Sequence, residues 1–264
     1  MNFRLSILTF LSIVCAVIGH AQTVTLPAST QSEAYRLSSQ SFDVSYLGGI
    51  GTDTIYWRTT SADSTASRPM TVEGTLSLTF PGLRTADEYE NVIDTLANTA
   101  HTNVTYGNLH MERQLFVYEK HRTLVLHLQA EEEGRPLNFI VGLSREKTST
   151  SQDSMYVRGS GIAYIDRDST EVSAVMMYVK TDADGAAVAV DGGIRVIDTH
   201  EATIYLVAQR KPIPAQHSSS ALEARHDRTV HRLVRDLIID LHRTALKPYA
   251  RLRKAHLKTL ASRK

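Results

Sequence analysis

Cysteine is nearly missing from this chain. The single one, Cys15, lies in an apolar stretch near the start, so the rest of the chain has no thiol to form a disulfide, bind a metal as thiolate or act as a nucleophile. Tryptophan is just as scarce, with Trp57 alone. Long apolar runs are lacking past Ile18, and the run from Leu5 to Ile18 falls short of the roughly 20 residues a spanning helix needs. No internal repeat of fixed period is visible, which argues against a propeller or a solenoid. No His-Glu-x-x-His occurs, and His226 and His231 are five apart, on different sides of any helix.

What the chain does have begins with a secretory pattern. Arg4 stands in a short polar start, Leu5 to Ile18 is apolar, and Gly19-His20-Ala21 puts small residues where a signal peptidase inspects. This predicts a leader over 1–21, export to the periplasm or medium, and no membrane attachment once it is removed. A chain of this length that needs no disulfide must bury a substantial core. The net charge of +1 hides an asymmetry: from Arg225 onward 12 Lys/Arg face 3 Asp/Glu, and before it 17 face 25. A basic end can mark nucleic-acid binding. In an exported protein it is better read as a helix pair lying against an acidic body or partner, with no nucleic acid involved.

Period-2 alternation dominates from about residue 40 to 210. Leu76, Leu78 and Phe80 fall on one face of Thr75–Phe80, and Gly107-Asn108 between Asn103–Tyr106 and Leu109–Glu112 predicts a tight hairpin. Leu124–Leu128 and Leu137–Val141, joined by the acidic turn from Glu131 to Pro136, are expected to pair with each other. Further strands are read at Met155–Arg158, Val172–Val179, Ala187–Val190, Ile194–Val196 and Thr203–Val207. So many strands with short turns and no intervening helices indicate a large antiparallel sandwich.

After Pro212-Ile213-Pro214 the period changes. Ser220-Ala221-Leu222-Glu223 has the form of a capping box. Val230, Leu233, Val234, Leu237, Ile238, Leu241 and Ala245 then recur at helical spacing. Pro248 starts a second helix with Tyr249, Leu252, His256 and Leu260 as its stripe. An apolar stripe of this size must dock, on the sandwich's outer face or on a further domain. With no such domain in the sequence, the stripe of Val230, Leu233, Leu237 and Leu241 is expected to stay partly exposed and to drive association. The fold class is therefore mainly β, with a sandwich over 22–215 and a two-helix linker over 216–264.

Candidate chemistry is thin. Asp166-Arg167-Asp168 and Asp182-Ala183-Asp184-Gly185 fall between strands, where Asp serves turns; neither has the further ligands of a calcium loop. Gly159-Ser160-Gly161 is a hairpin turn and lacks the spacing of a nucleophile elbow. Gly48-Gly49-Ile50-Gly51 has no helix after it to hold a dinucleotide phosphate. His110 and His127 stand singly in strands, as structural histidines do. Tyr56 and Trp57 form the one aromatic pair that could stack on a sugar, although a lone Trp is more often core. No catalytic, cofactor-binding or metal-ligating residue is predicted; the possible carbohydrate contacts are Tyr56 and Trp57.

Several phrases, taken in order, resemble the N-terminal β-domain of glycoside hydrolases related to family 65, in the version carried by family 95 α-L-fucosidases. Gly74–Phe80 is similar to that family's Gly-Asp-Leu-x-Leu-x-Phe strand, and Tyr89–Ala97, with Asp94, to its Tyr-x-Arg-x-Leu-Asp-Leu segment. Thr105-Tyr106 followed by Arg113-Gln114-Leu115-Phe116 is similar to its strand pair ending Arg-Glu-Val-Phe, Leu124–Ala130 is similar to the strand after it, and Tyr249–His256 resembles the linker phrase Tyr-x-x-Leu-Arg-x-x-His. After His256 this chain has Thr259-Leu260 where the family usually carries Asp-Tyr. The resemblance implies a β-supersandwich with a helical linker. It also implies that the acid and base carboxylates belong to an (α/α)6 barrel outside this sequence, as a partner chain or domain. Two further readings stand beside it. One is an independent carbohydrate-binding or complex-forming module with an oligosaccharide as ligand. The other is a hydrolase using Asp166 and Asp168, which the solvation of turn aspartates argues against.

Overall fold

The structure, a computed structural model, describes residues 23–25, 35–39, 41–60, 73–145, 152–167, 171–213 and 219–262. The predicted leader and Asp168 lie outside the described residues, as do the side chains of the capping box at Ser220–Glu223. Among the described residues sixteen strands precede two α-helices, with one 3-10 turn at Glu119–His121 between the eighth and ninth strands. In chain order they are β1 (Thr23–Thr25), β2 (Tyr35–Ser38), β3 (Phe42–Leu47), β4 (Thr52–Thr59), β5 (Gly74–Thr79), β6 (Glu88–Asp94), β7 (Thr99–Tyr106) and β8 (Leu109–Tyr118). Then come β9 (Thr123–Ala130), β10 (Leu137–Arg145), β11 (Gln152–Arg158), β12 (Gly161–Arg167), β13 (Glu171–Thr181), β14 (Ala186–Val190), β15 (Gly193–Thr199) and β16 (Glu201–Pro212). The helices are α1 (Ser219–Ala245) and α2 (Tyr249–Ala261).

Two antiparallel sheets face each other. The larger runs β1-β6-β7-β8-β9-β16-β13-β12-β11 and the smaller β14-β15-β10-β5-β4-β3-β2. Alternation sets which face is inside: Phe42, Val44 and Tyr46 of β3, Ile55 and Trp57 of β4, and Leu76 and Leu78 of β5 are all buried between the sheets. The predicted face of Leu76, Leu78 and Phe80 is found, with Phe80 buried just past the end of β5. The β7–β8 hairpin also forms as predicted, with Gly107 at φ 58°, the positive value that the first central residue of a type II′ turn requires.

One expected pairing does not form. Strand β9 pairs with β8 and β16, and β10 pairs with β5 and β15 in the other sheet. The turn between them is drawn onto the β7–β8 hairpin, where the Arg135 amide donates to Asn108 O at 3.1 Å and the Glu131 amide to His110 O at 3.2 Å. Both edges of β9 are already occupied, so the chain crosses to the opposite sheet.

The middle strands of the larger sheet are buried on both faces. Strands β9, β13 and β16 read as almost unbroken buried runs, because the smaller sheet covers one side and the helices the other. Under α1 lie Ile165, Val172, Ala174, Met176, Val207 and Ile213, packed by Val230, Leu233 and Leu237. Under α2, Leu252 joins Phe116, Tyr118, Val125 and Tyr205. This corrects the expectation of a poorly docked, associating stripe: Leu233 and Leu252 are fully buried, Leu237 nearly so, and the sandwich itself is the docking surface. Ile238, read as part of that stripe, points outward instead, as do Ile239, Leu246 and Leu257. The buried turn of the helix is set by positions 230, 233 and 237, and 238 lies beyond its edge.

Leu233→Ala should therefore lower the unfolding free energy by about 2–5 kcal/mol, as deletion of a buried side chain does. Ile238→Ala, at a position 52% exposed, should change it by under about 0.5 kcal/mol. Urea denaturation followed by circular dichroism compares the two; equal losses would contradict this docking orientation.

Candidate functional site

The residues singled out from sequence do not converge. Trp57 is 2% exposed, set edge-on to Phe42 at 6.4 Å in the core. Tyr56, one position earlier in β4, is half-buried on the opposite face. The pair therefore makes no common platform, since neighbours in a strand point to opposite sides of the sheet. Asp166 of β12 is ion-paired with Arg145 of β10 at 3.2 Å, and Arg145 also donates to Ser173 Oγ at 2.8 Å. Asp182 is a turn residue: its carboxylate accepts from the amides of Gly185 at 2.8 Å, His200 at 2.7 Å and Glu201 at 2.9 Å. Partial burial pushes its pKa upward, but the amides outweigh this and hold it below the ordinary carboxylate value. Gly159 takes φ 58° in the β11–β12 turn, as read from sequence. Among the described residues no three His, Asp or Glu groups converge as a metal site, and no helix is long and apolar enough to cross a membrane.

Two sites were not anticipated. The first is a charged clamp between the sheets. Arg113 of β8 and Asp53 of β4 are both fully buried and meet at 2.6 Å. The same guanidinium donates to Gly49 O at 2.7 Å, and the Gly49 amide donates to Asp53 Oδ1 at 3.0 Å, so the loop between β3 and β4 is held shut around the pair. Phe80 lies over the guanidinium at 5.4 Å. Beside it Tyr46 Oη is 2.9 Å from Thr102 Oγ1, which donates to Asn91 Oδ1 at 3.0 Å, adding a neutral link from β3 to β7 and β6. Only glycine fits at position 51, where a Cβ would lie 1.8 Å from the Leu83 carbonyl oxygen. Burial is the largest influence on Asp53 and pushes its carboxyl above the usual range, against the pull of Arg113. The signal was present in the sequence. Arg113 sits in the inward series Leu109, Met111, Arg113, Leu115, and Asp53 in the inward series Asp53, Ile55, Trp57. One opposite charge on each apolar face predicts a matched pair.

The second is the seat of α2. Tyr249 stacks flat on His127 of β9, centroids 3.6 Å apart and planes within 8°, and its hydroxyl donates to Gln114. Gln114 in turn donates to Glu112, which pairs with His101 at 2.9 Å. That His101 hydrogen bond is the main reason the Glu112 pKa falls to about 2. His256 donates to Ala97 O at 2.7 Å and packs on Phe116 at 4.8 Å. At the turn between the helices Lys247 donates to Tyr118 Oη and to His121, each at 3.1 Å. Tyr249 and His256 of the linker phrase thus serve to fasten the helix to the sheet.

A family model for the glycosyl hydrolase family 65 N-terminal domain matches residues 51–211, more than half of the chain. The chain belongs to this family. The match runs from the clamp loop through nearly all of β16 and so takes in Asp53, Arg113 and most of the paired strands. Among solved structures, one from the human microbiome assigned as a kojibiose phosphorylase is similar, with 8% identity and a TM-score of 0.43. The comparison covers 90% of this chain and 39% of that one. No curated protein matches. In this family 65 N-terminal domain the carboxylates singled out above hold elements together. Asp53 and Asp166 each face an arginine across the sheets, and Asp182 closes a turn.

Breaking the clamp on one side should be costly. Asp53→Leu or Arg113→Met, each leaving a buried ionisable group without its partner, should lose about 3–5 kcal/mol. The double variant Asp53→Leu/Arg113→Met should recover much of that; strictly additive losses by urea denaturation would refute a coupled pair.

The helix seat should be acid-sensitive. Burial depresses the His127 pKa to about 4, against an ordinary value near 6.5, and burial with Lys247 nearby also lowers that of His121. The unfolded chain then binds protons that the folded one refuses. This contribution is full above about pH 6.5 and is lost as pH falls towards 4. Between pH 7 and 5 wild type should lose on the order of 1–2 kcal/mol more than His127→Phe, which keeps the stack without the titrating nitrogen. Paired urea titrations measure that difference, and its absence would contradict the role given to His127.

Proposed function

We propose that this domain is the exported, non-catalytic supersandwich of a family 95-type, α-L-fucosidase-like glycoside hydrolase system. In this reading it works beside a catalytic barrel held on another chain or domain. The observation that carries it is the family match over a sandwich whose buried carboxylates are engaged by arginines or backbone amides. An inverting glycosidase needs two carboxyl groups about 6.5–9.5 Å apart with a water between them, one kept protonated at neutral pH. Asp53 is sealed in the core, and Asp166 is held by Arg145. Fucosidase specificity draws support from the ordered phrases Gly74–Phe80, Arg113–Phe116 and Tyr249–His256. Export draws support from Arg4, the apolar run to Ile18 and the small residues ending at Ala21.

The purified chain should release no 4-nitrophenol from 4-nitrophenyl α-L-fucoside above the buffer rate. Hydrolysis that vanishes in Asp166→Asn would overturn the non-catalytic reading. Expressed in a bacterial host, the full chain should be recovered from the periplasm with Gln22 as its first residue by intact mass. Retention in the cytoplasm at full mass would remove the export part alone.

A further inference from the structure

At one end of the sandwich three turns enclose a cleft of about 120 Å³. One wall is the turn Phe80-Pro81-Gly82-Leu83, closed by the Leu83 amide on Phe80 O at 3.1 Å and tied to the clamp loop by the Phe80 amide on Gly51 O at 2.9 Å. The other is the β7–β8 hairpin with the crossover before β10, joined by the Arg135 amide on Asn108 O. Phe80, packed on Phe139 at 5.3 Å and over Arg113, closes the bottom. The walls are thus fixed by backbone hydrogen bonds and by the buried clamp.

The lining is a short list with one chemistry. Tyr106 is 37% exposed, large for an aromatic ring, and lines the cleft with the rings of Pro81 and Pro136. Polar groups stand beside these apolar surfaces. The Tyr106 hydroxyl and the exposed Arg135 guanidinium have no partner among the described residues, and the Asn138 side chain is held in place by Asp198 at 3.2 Å. Flat apolar rings next to forked donors suit a ligand with one apolar face and a rim of hydroxyls. The volume is below the roughly 300–1,000 Å³ of a drug-sized site and has room for one six-membered ring. We propose that this cleft binds a single pyranose of a glycan, with the sugar face on Tyr106 and its hydroxyls bonded by Arg135. The choice of a sugar among ring-shaped ligands rests on the glycoside hydrolase reading above; the cleft itself does not.

Saturation-transfer difference NMR on the full chain, with methyl α-L-fucoside and methyl α-D-glucoside as probes, tests this. At least one should bind in the range of about 1–10 mM. Tyr106→Ala should weaken it roughly tenfold, Arg135→Gln should weaken it, Tyr106→Phe should keep most of it, and Tyr56→Ala should leave it unchanged. Tyr106 is exposed, so circular dichroism of Tyr106→Ala should match wild type. No transfer from either sugar or from cyclohexanol, transfer that persists in Tyr106→Ala, or transfer equal to that from glycerol overturns the site. Transfer from cyclohexanol but from neither sugar overturns the sugar assignment and leaves the domain reading to the fucoside assay.

Discussion

The centre of the larger sheet is buried on both faces, and the rest of the architecture follows from that constraint. A strand covered on one side alternates buried with exposed positions, but β9, β13 and β16 are buried at successive positions and need two covers. The smaller sheet is the first. The second is the chain's own helical end, whose buried stripe of Val230, Leu233, Leu237 and Leu252 fills the outer face. At about 1.5–3 kcal/mol for each fully buried side chain, these four account for a substantial share of a stability that is typically only 5–15 kcal/mol in all. The helices are therefore structural parts of the domain.

Polar contacts then fix what hydrophobic burial leaves loose. Two facing sheets can slide, because apolar contact has no direction. Arg113 with Asp53 and Gly49 pins one end, and Arg145 with Asp166 and Ser173 pins the other. A buried ion pair is weak evidence for net stability, because desolvation offsets most of the attraction. Its contribution here is register: each arginine has bonding partners at only one relative position of the sheets.

Much of this was legible from pattern alone, and the failures have physical causes. Alternation located the strands and the inward face of Leu76, Leu78 and Phe80, and Gly107-Asn108 located a turn, because these signals are local. The pairing of β9 with β10 was misread because a short turn looks the same whether it closes a hairpin or crosses between sheets; backbone bonds to Asn108 and His110 decide. The helix stripe was correctly drawn except at Ile238, but its occupant was not, since both candidate covers would present apolar surface. Tyr56-Trp57 misled because adjacency in a strand means opposite faces. Arg113 had been matched to a family phrase without a role; its inward position among Met111 and Leu115 held the missing information.

The sheet order also sets the span of chain that folding must close. Strand β16 pairs with β9, joining Val207 to Thr123 and Glu201 to Gln129, so the larger sheet closes through its middle only across the whole length of β10–β15. Contacts so distant in sequence carry a heavy closure entropy and slow folding. Until α1 and α2 have been made, a chain emerging from one end leaves the patch of Phe116, Tyr118, Val125 and Tyr205 uncovered, the kind of transiently exposed apolar surface that chaperones bind.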